Sequence, residues 1–441
     1  MPETKNRGTL KTNNLMKKEI IILGLLTPLL LNAQNNAKGY YKDIFIDGGL
    51  RLSSRADLPS ARVLGLETEA FVSAKKAKEY TRMDTLLQEQ CFAGSAIDEN
   101  GVLLYPDGEP RFRLLYLHGG LAESHGKTLG ERGRENIRTF VRNGGSFVGS
   151  CAGCYITSRG VWEDSLKLRH AYLGIWPGLC RGTRLSDKPT GISIDKRSPL
   201  LRYYDFGGDR FVDSVYHNNG AYAYTRQMWP EGTEILARYD TRGMTGLKRE
   251  IQGEAAIWAY KQGRESGRVV PCGSHPENVK TGERLDLMCA MVRYALDGNG
   301  EPTVKGKLKN GEERVMDRHT RDNQPAYTRI GDKQYHHFTV EVPKQTRQLT
   351  LTLKSLMGYD DVVMYLCARH GDFAFVDDAD YKNVALDANK RLVIKNPKPG
   401  TMYVSVHCAT TVDTIVTPNG TQYAGRTDVL NGIPYTIKAD Y

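Results

Sequence analysis

Apolar and polar positions follow two different rhythms along this chain. Up to about residue 298, short apolar runs alternate with stretches of helical spacing. Strands are expected at 43–47, 69–72, 113–117 and 146–149, each compact, apolar and followed by small or turn-forming residues. Helices are expected over 58–66, 74–88 and 132–142. The last carries Ile137, Phe140 and Val141 on one face and is stopped by Asn143-Gly144-Gly145. Further strands are expected at 213–216, 234–239, 255–260 and 268–271, and an apolar helix at 285–296 closes the region. Strands alternating with helices imply an α/β fold, a doubly wound and mostly parallel sheet.

After residue 298 the rhythm changes. Residues 299–324 are rich in Gly, Lys, Arg, Asp and Asn, lack apolar periodicity and read as a linker. Beyond them the period is two. Strands are expected at 336–342, 348–353, 362–366, 391–394, 402–406 and 435–439, with turn residues such as Pro397-Lys398-Pro399-Gly400 between them. Several short strands without helices imply an all-β sandwich over 325–441. Cys367 and Cys408 fall in two of these strands and are candidate disulfide partners.

At the N-terminus, Lys17 and Lys18 precede an apolar run from Ile20 to Leu31 that ends at Asn32-Ala33-Gln34. This is the layout of a secretory signal peptide, and the run is shorter than the roughly 20 residues a spanning helix needs. Met16 is a candidate start. Residues 1–33 are therefore expected to be an extension and signal peptide. The mature chain, 34–298 plus the tail, is expected to be exported to the periplasm or secreted, without a transmembrane helix.

Composition narrows the function. The 441 residues are 25% charged and 40% hydrophobic, an ordinary globular balance, and eight Cys are too few for a disulfide scaffold. Three of the ten excess positive charges lie in residues 1–33. The rest are spread along the chain without the basic and aromatic clustering of a nucleic-acid groove, so no nucleic-acid partner is expected.

The chemistry concentrates in three segments. In Gly149-Ser150-Cys151-Ala152-Gly153 a buried strand runs straight into a Cys flanked by small residues. A sharp strand-to-helix turn that projects a nucleophile requires this pattern. The first Gly lets the backbone fold back, and the second lets the helix approach the strand. A helix starting there would favour a thiolate. In Cys272-Gly273-Ser274-His275-Pro276-Glu277 a His follows an apolar strand, with Glu277 two residues on. A Cys nucleophile needs a base, and the base needs a partner to fix its tautomer. In His118-Gly119-Gly120 two Gly expose backbone N–H groups where an oxyanion could sit. The Ala152 N–H is the natural second donor.

Together with Gly174-Ile175-Trp176-Pro177-Gly178, these segments resemble the class I glutamine amidotransferase-like superfamily, and within it the group named for the N-terminal domain of biotin-protein ligase. The resemblance covers about residues 40–298 and implies a flavodoxin-like sheet. It implies Cys151 as nucleophile, His275 as base, Glu277 as its orienter, and Gly120 and Ala152 as oxyanion donors. His118, Gly119, Tyr155, His217, Asn218 and Asn219 are the expected pocket residues. Two positions depart from the family. Tyr155 stands where glutamine-hydrolysing members have Gln, and His118 stands where they have Pro. The tail, from Gln334-Tyr335-His336 through Asp360-Asp361-Val362 to Tyr435-Thr436-Ile437, resembles the bacterial pre-peptidase C-terminal domain. That likeness implies an accessory role, with glycan or protein contact.

The expected activity is cysteine-dependent hydrolysis of a small-molecule or peptide amide through a thioester on Cys151, with no cofactor and no metal. Two alternatives stay open. One is a catalytically inactive binding module. The other is a redox pair in Cys151-Ala152-Gly153-Cys154, which would leave His275 and Glu277 unexplained.

Overall fold

The computed structural model describes residues 39–73, 75 and 79–441. The apolar run at 20–31 and part of the helix expected at 74–88 lie outside them. Among the described residues no helix is long and apolar enough to cross a membrane.

Four parallel strands organise the first part: β1 (Lys42–Gly48), β2 (Thr68–Val72), β3 (Phe112–Leu117) and β4 (Ser146–Ser150). They lie in the order β2-β1-β3-β4, and Val269–Cys272 continues the sheet parallel to β4. Every residue of β3 and β4 is buried, as expected of parallel strands covered on both faces. The pleat divides their side chains between two cores. Ile44, Ile46, Leu114, Tyr116, Val148 and Val270 face Leu287, Met288 and Met291 of the helix Glu283–Leu296. Phe45, Leu115, Leu117 and Phe147 belong to the opposite core, with Phe92, Ile137 and Phe140 from the helices Arg82–Ala93 and Gly130–Arg142. Each large apolar side chain buried this way stabilises the sheet by about 1.5–3 kcal/mol.

The helix expected at 74–88 is Arg82–Ala93. Thr81 accepts a bond from the Asp84 N–H, and the Asp84 carboxylate accepts one from Thr81 N. This capping box fixes the start later than composition suggests. The sheet also grows beyond Val269–Cys272 into antiparallel strands, Ala255–Ala259, Ala221–Ala223 and Leu179–Gly182, with Glu234–Asp240 and Lys188–Ile194 branching from Ala255–Ala259. The sheet is therefore mixed, with a parallel centre and an antiparallel wing.

In the tail, a five-stranded and a four-stranded sheet face one another. Phe338, Val340, Val404 and Val406 from one and Leu349, Leu351, Leu353 and Ile437 from the other share a core. The stretch 299–324 corrects the linker expectation. It contributes the strands Val304–Lys307 and Glu313–Met316, one to each sheet. Both are short edge strands with a single buried residue each, which is why they show no apolar period. Cys367 and Cys408 are free. On neighbouring strands Cys367 stands opposite Ser405 and Cys408 opposite Met364, so the register keeps the two sulfurs apart.

The tail is not a separate body. Its hairpin Asp413–Thr417 and Gly420–Ala424 joins the edge of the main sheet, where Gly420 pairs with Phe71 of β2. Tyr423 Oη donates to Glu69 of β2 at 2.8 Å, and Asp332 holds Arg111 at 2.8 Å.

Candidate active site

Cys151 sits between β4 and the six-residue helix Ala152–Thr157, with φ 51° and ψ −99°. A residue with a side chain rarely adopts this conformation, and such strain clusters at functional turns. The flanking glycines make it possible. A Cβ on Gly149 would lie 2.5 Å from the Gly153 carbonyl oxygen, and one on Gly153 would lie 2.3 Å from the Leu117 oxygen. Each glycine thus performs the role its spacing implied. The Cys151 N–H donates to Cys272 O at 2.9 Å, which ties the elbow to the strand that delivers His275. The field of so short a helix is small, and the charge beside the sulfur comes from His275.

The His275 N–H donates to Tyr216 O at 2.8 Å, and its Nδ1 lies 2.8 Å from Glu277 Oε1. Gly119 lies between the His275 ring and the Cys151 side chain, and Cys151 acts on that ring to raise its pKa. Burial works to lower the pKa of His275. The bonds to Cys151 and Glu277, and the charge of Glu277, outweigh that and push it up to about 10. Burial would raise the Glu277 carboxyl, but the bond to His275 and its charge hold it below the usual range. The pair is therefore imidazolium and carboxylate at neutral pH. Cys151 itself is 7% exposed, and its sulfur lies 3.7 Å from the Asn218 carbonyl oxygen on another side.

The glycine loop completes the cluster. A Cβ on Gly119 would lie 2.2 Å from His275 Cε1 and 3.3 Å from Cys151 Cβ, so only glycine fits between base and nucleophile. Gly120 has φ 150°, and a Cβ there would lie 2.2 Å from Arg51 O. The loop is held from outside: Ser53 Oγ donates to Gly119 O at 2.9 Å and Leu121 N to Arg51 O at 2.8 Å.

The structure therefore gathers Cys151, His275, Glu277 and Gly119, with Gly120 and Ala152 next to them in the chain. Other expected pocket residues have different surroundings. His217 is fully buried, with Nε2 2.7 Å from Thr183 Oγ1 and Nδ1 3.0 Å from Ser274 Oγ. Burial and the nearby His275 charge push its pKa down to about 3. Its two ring nitrogens are taken up by Thr183 and Ser274, so it braces the His275 loop from below. Tyr155 Oη donates towards the Asn219 and Gly220 carbonyls at 3.1 and 3.3 Å, so its hydroxyl braces the loop that carries Asn218. Asn218 faces the sulfur through its backbone carbonyl. His118 is 1% exposed, packs edge-on against Tyr116, and has neither ring nitrogen bonded. Burial lowers its pKa, and the Glu277 carboxylate partly offsets this.

One pair in this layer is not evident from sequence. His125 Nε2 lies 2.8 Å from Asp47 Oδ2, and its Nδ1 lies 2.7 Å from Leu50 O, all fully buried. Asp47 also receives the Gly49 N–H, and its carbonyl receives His118 N at 3.2 Å. The pair therefore anchors the segment behind the glycine loop. Asp47 stands one residue before the end of β1, the neighbour of β3, and that adjacency is the signal that could have pointed to it. Among the described residues no group of three His, Cys, Asp or Glu is placed to hold a metal.

Comparison with known proteins places this site in a family. The family described as "Biotin-protein ligase, N terminal" matches residues 73–293, half of the chain and the whole Cys151–His275–Glu277 cluster. The chain belongs to that family. It is similar to the biotin–protein ligase of Schizosaccharomyces pombe, 25% identical over 243 residues, covering 50% of this chain and 35% of that protein. It is also similar to an uncharacterized protein of Chlamydia muridarum, 28% identical over 181 residues, covering 39% and 63%. The chain thus spans less than two thirds of either relative. Two solved structures overlap it loosely. A Thermoplasma acidophilum protein named as a GMP synthase component has TM-score 0.33 and 13% identity, covering 58% of this chain and 96% of that one. The pre-peptidase C-terminal domain of a Bacillus anthracis collagenase has TM-score 0.19 and 10% identity, covering 32% and 100%.

The electrostatics make a direct prediction. In the intact protein His275 should stay protonated to about pH 10. Cys151→Ala removes one of the groups that raise its pKa and leaves the burial that lowers it. The His275 titration, followed by NMR of its ring carbon, should therefore move to lower pH. An unchanged titration would mean that the sulfur and ring do not interact.

Proposed function

We propose that this chain is an exported cysteine hydrolase of an amide or related acyl bond, built on a doubly wound, amidotransferase-like sheet. The observation that carries the reading is the strained Cys151 elbow facing a His275 whose far nitrogen is held by Glu277 at 2.8 Å. The ligase reaction named for the fission-yeast relative is not part of this reading, because the chain spans 35% of that protein.

In this mechanism the proton rests on His275, and the Cys151 sulfur attacks the substrate carbonyl carbon. The oxyanion receives the Gly120 and Ala152 N–H groups. Collapse breaks the C–N bond, and His275 gives its proton to the leaving amine. A thioester on Cys151 remains. Water, losing a proton to His275, attacks that thioester and releases the carboxylic acid product, which restores the starting pair. Glu277 stays ionised and fixes the His275 ring.

Iodoacetamide labelling tests the nucleophile without knowing the substrate. Cys151 should react on the order of 10 to 100 times faster than Cys289, which is buried in the helix Glu283–Leu296. His275→Ala should remove most of that advantage. Equally slow labelling of both cysteines would favour the inactive binding module instead.

A further inference from the structure

A second site lies on the antiparallel wing. A cavity of about 790 Å3 opens there, and Cys151 is not among the residues that line it. Its volume falls within the range of small-molecule sites. Five cations surround it, Arg181, Lys196, Arg197, Arg226 and Arg238, against two carboxylates, Asp195 and Glu254. Asp195 is partly occupied, since its Oδ1 accepts the Arg197 backbone N–H at 3.1 Å. Arg238 donates to Gly253 O, and Arg181 lies 3.6 Å from the exposed Asp164. The side chains of Lys196, Arg197 and Arg226 have no carboxylate partner among the described residues. Five cations against two carboxylates leave the concavity with an excess of positive charge, and such an arrangement attracts anions.

The walls add shape. The Tyr224 ring is stacked on Trp162, with centroids 5.1 Å apart and planes 11° apart, and the Arg181 guanidinium lies 5.4 Å from its centroid. This fixes the guanidinium against a rigid aromatic face. Trp229 lines the same cavity, and its buried Nε1 has no acceptor. A donor left unpaired in the wall costs stability until an acceptor arrives.

We propose that this cavity binds a small polyanion carrying at least two phosphate or carboxylate groups. Arg197, Arg226 and Lys196 meet its charges, and Arg181 and Tyr224, the latter backed by Trp162, form part of its wall. The site goes beyond the hydrolase reading and does not depend on Cys151. The arginines come from separate strands and turns between residues 181 and 238, and folding of the wing brings them round one cavity.

Calorimetric titration of the full chain with inorganic pyrophosphate and, separately, with citrate tests this. Saturable one-to-one binding of either supports the site, and the tighter of the two identifies phosphate or carboxylate as its chemistry. The exposed pair Arg197→Gln/Arg226→Gln should weaken binding at least about tenfold. A control pair on the tail, Lys344→Gln/Arg347→Gln, should leave it within about twofold. Raising sodium chloride from 50 to 200 mM should weaken it without abolishing it. Absence of saturable binding of both anions, or equal weakening by the two variant pairs, overturns the proposal.

Discussion

Cys151→Ala and His275→Ala should each lower turnover of a susceptible amide by about 10⁴-fold or more, because nucleophile and base act as one unit. The double variant should be little worse than either single one. Glu277→Gln keeps the shape but loses the charge that holds His275 protonated, so it should also be severely impaired. Cys151→Ala removes little volume and should lose activity with an unchanged thermal melt, whereas His275→Ala strands the buried Glu277 carboxylate and should also lower the melt. The assay is ammonia or amine release by the full chain from a panel of peptide and acyl amides, with free glutamine as a separate arm. Little ammonia is expected from glutamine. Tyr155 replaces the Gln of glutamine-hydrolysing members, and its hydroxyl is already committed to the Asn219 and Gly220 carbonyls. A site without free partners for a substrate's polar groups binds it poorly. Rapid glutamine turnover lost in Cys151→Ala would overturn the substrate expectation and keep the nucleophile. Turnover that survives Cys151→Ala would sink the mechanism.

Much of the site is legible in the sequence because its constraints are local. Gly149 is dictated by an approach of strand and helix within five residues, whereas Gly153 makes room for the Leu117 carbonyl of β3, and a Cys between two such glycines states its own geometry. Glu277 reaches His275 because they are two residues apart on one loop. β3 and β4 are legible because both faces are buried, so the apolar run is unbroken. What sequence alone does not show depends on distant partners. His217 becomes a strut only through Thr183 and Ser274. The wing strand Lys188–Ile194 begins with exposed Lys, Pro and a half-polar pattern, and its place is set by pairing with Glu234–Asp240. The hairpin at 413–424 carries exposed Ile415 and Val416, and it meets β2 at one ladder pair, Phe71–Gly420, with Val72 N bonded to Asn419 O and Tyr423 Oη to Glu69 beside it. Neither apolar period nor turn chemistry encodes a contact of that kind.

The attachment of the tail should prove energetically strong at one ion pair. Arg111 is 2% exposed and Asp332 is fully buried, and they meet at 2.8 Å. The guanidinium also lies 4.4 Å from the Tyr41 ring centroid and 5.1 Å from that of Tyr423. Its next carboxylate, Asp98, is 3.8 Å away. Asp332→Ala therefore leaves a buried cation with one distant counter-charge, and should cost about 3–5 kcal/mol. Replacing both partners, Arg111→Met with Asp332→Leu, should cost much less than the sum of the single changes, since no unpaired charge remains. Urea unfolding can assign the loss to a region. All four Trp, at 162, 176, 229 and 258, lie in the α/β part, so fluorescence reports that part alone, whereas far-ultraviolet circular dichroism reports both. The two probes should coincide in the natural protein, because the hairpin at 413–424 and the Arg111–Asp332 pair join the tail to the main sheet. In Asp332→Ala the midpoint should fall for both. A loss below about 1 kcal/mol would place this pair with exposed salt bridges and show that the tail is held by its other contacts, the hairpin and the bonds of Lys305 and Gln334 to Asp107.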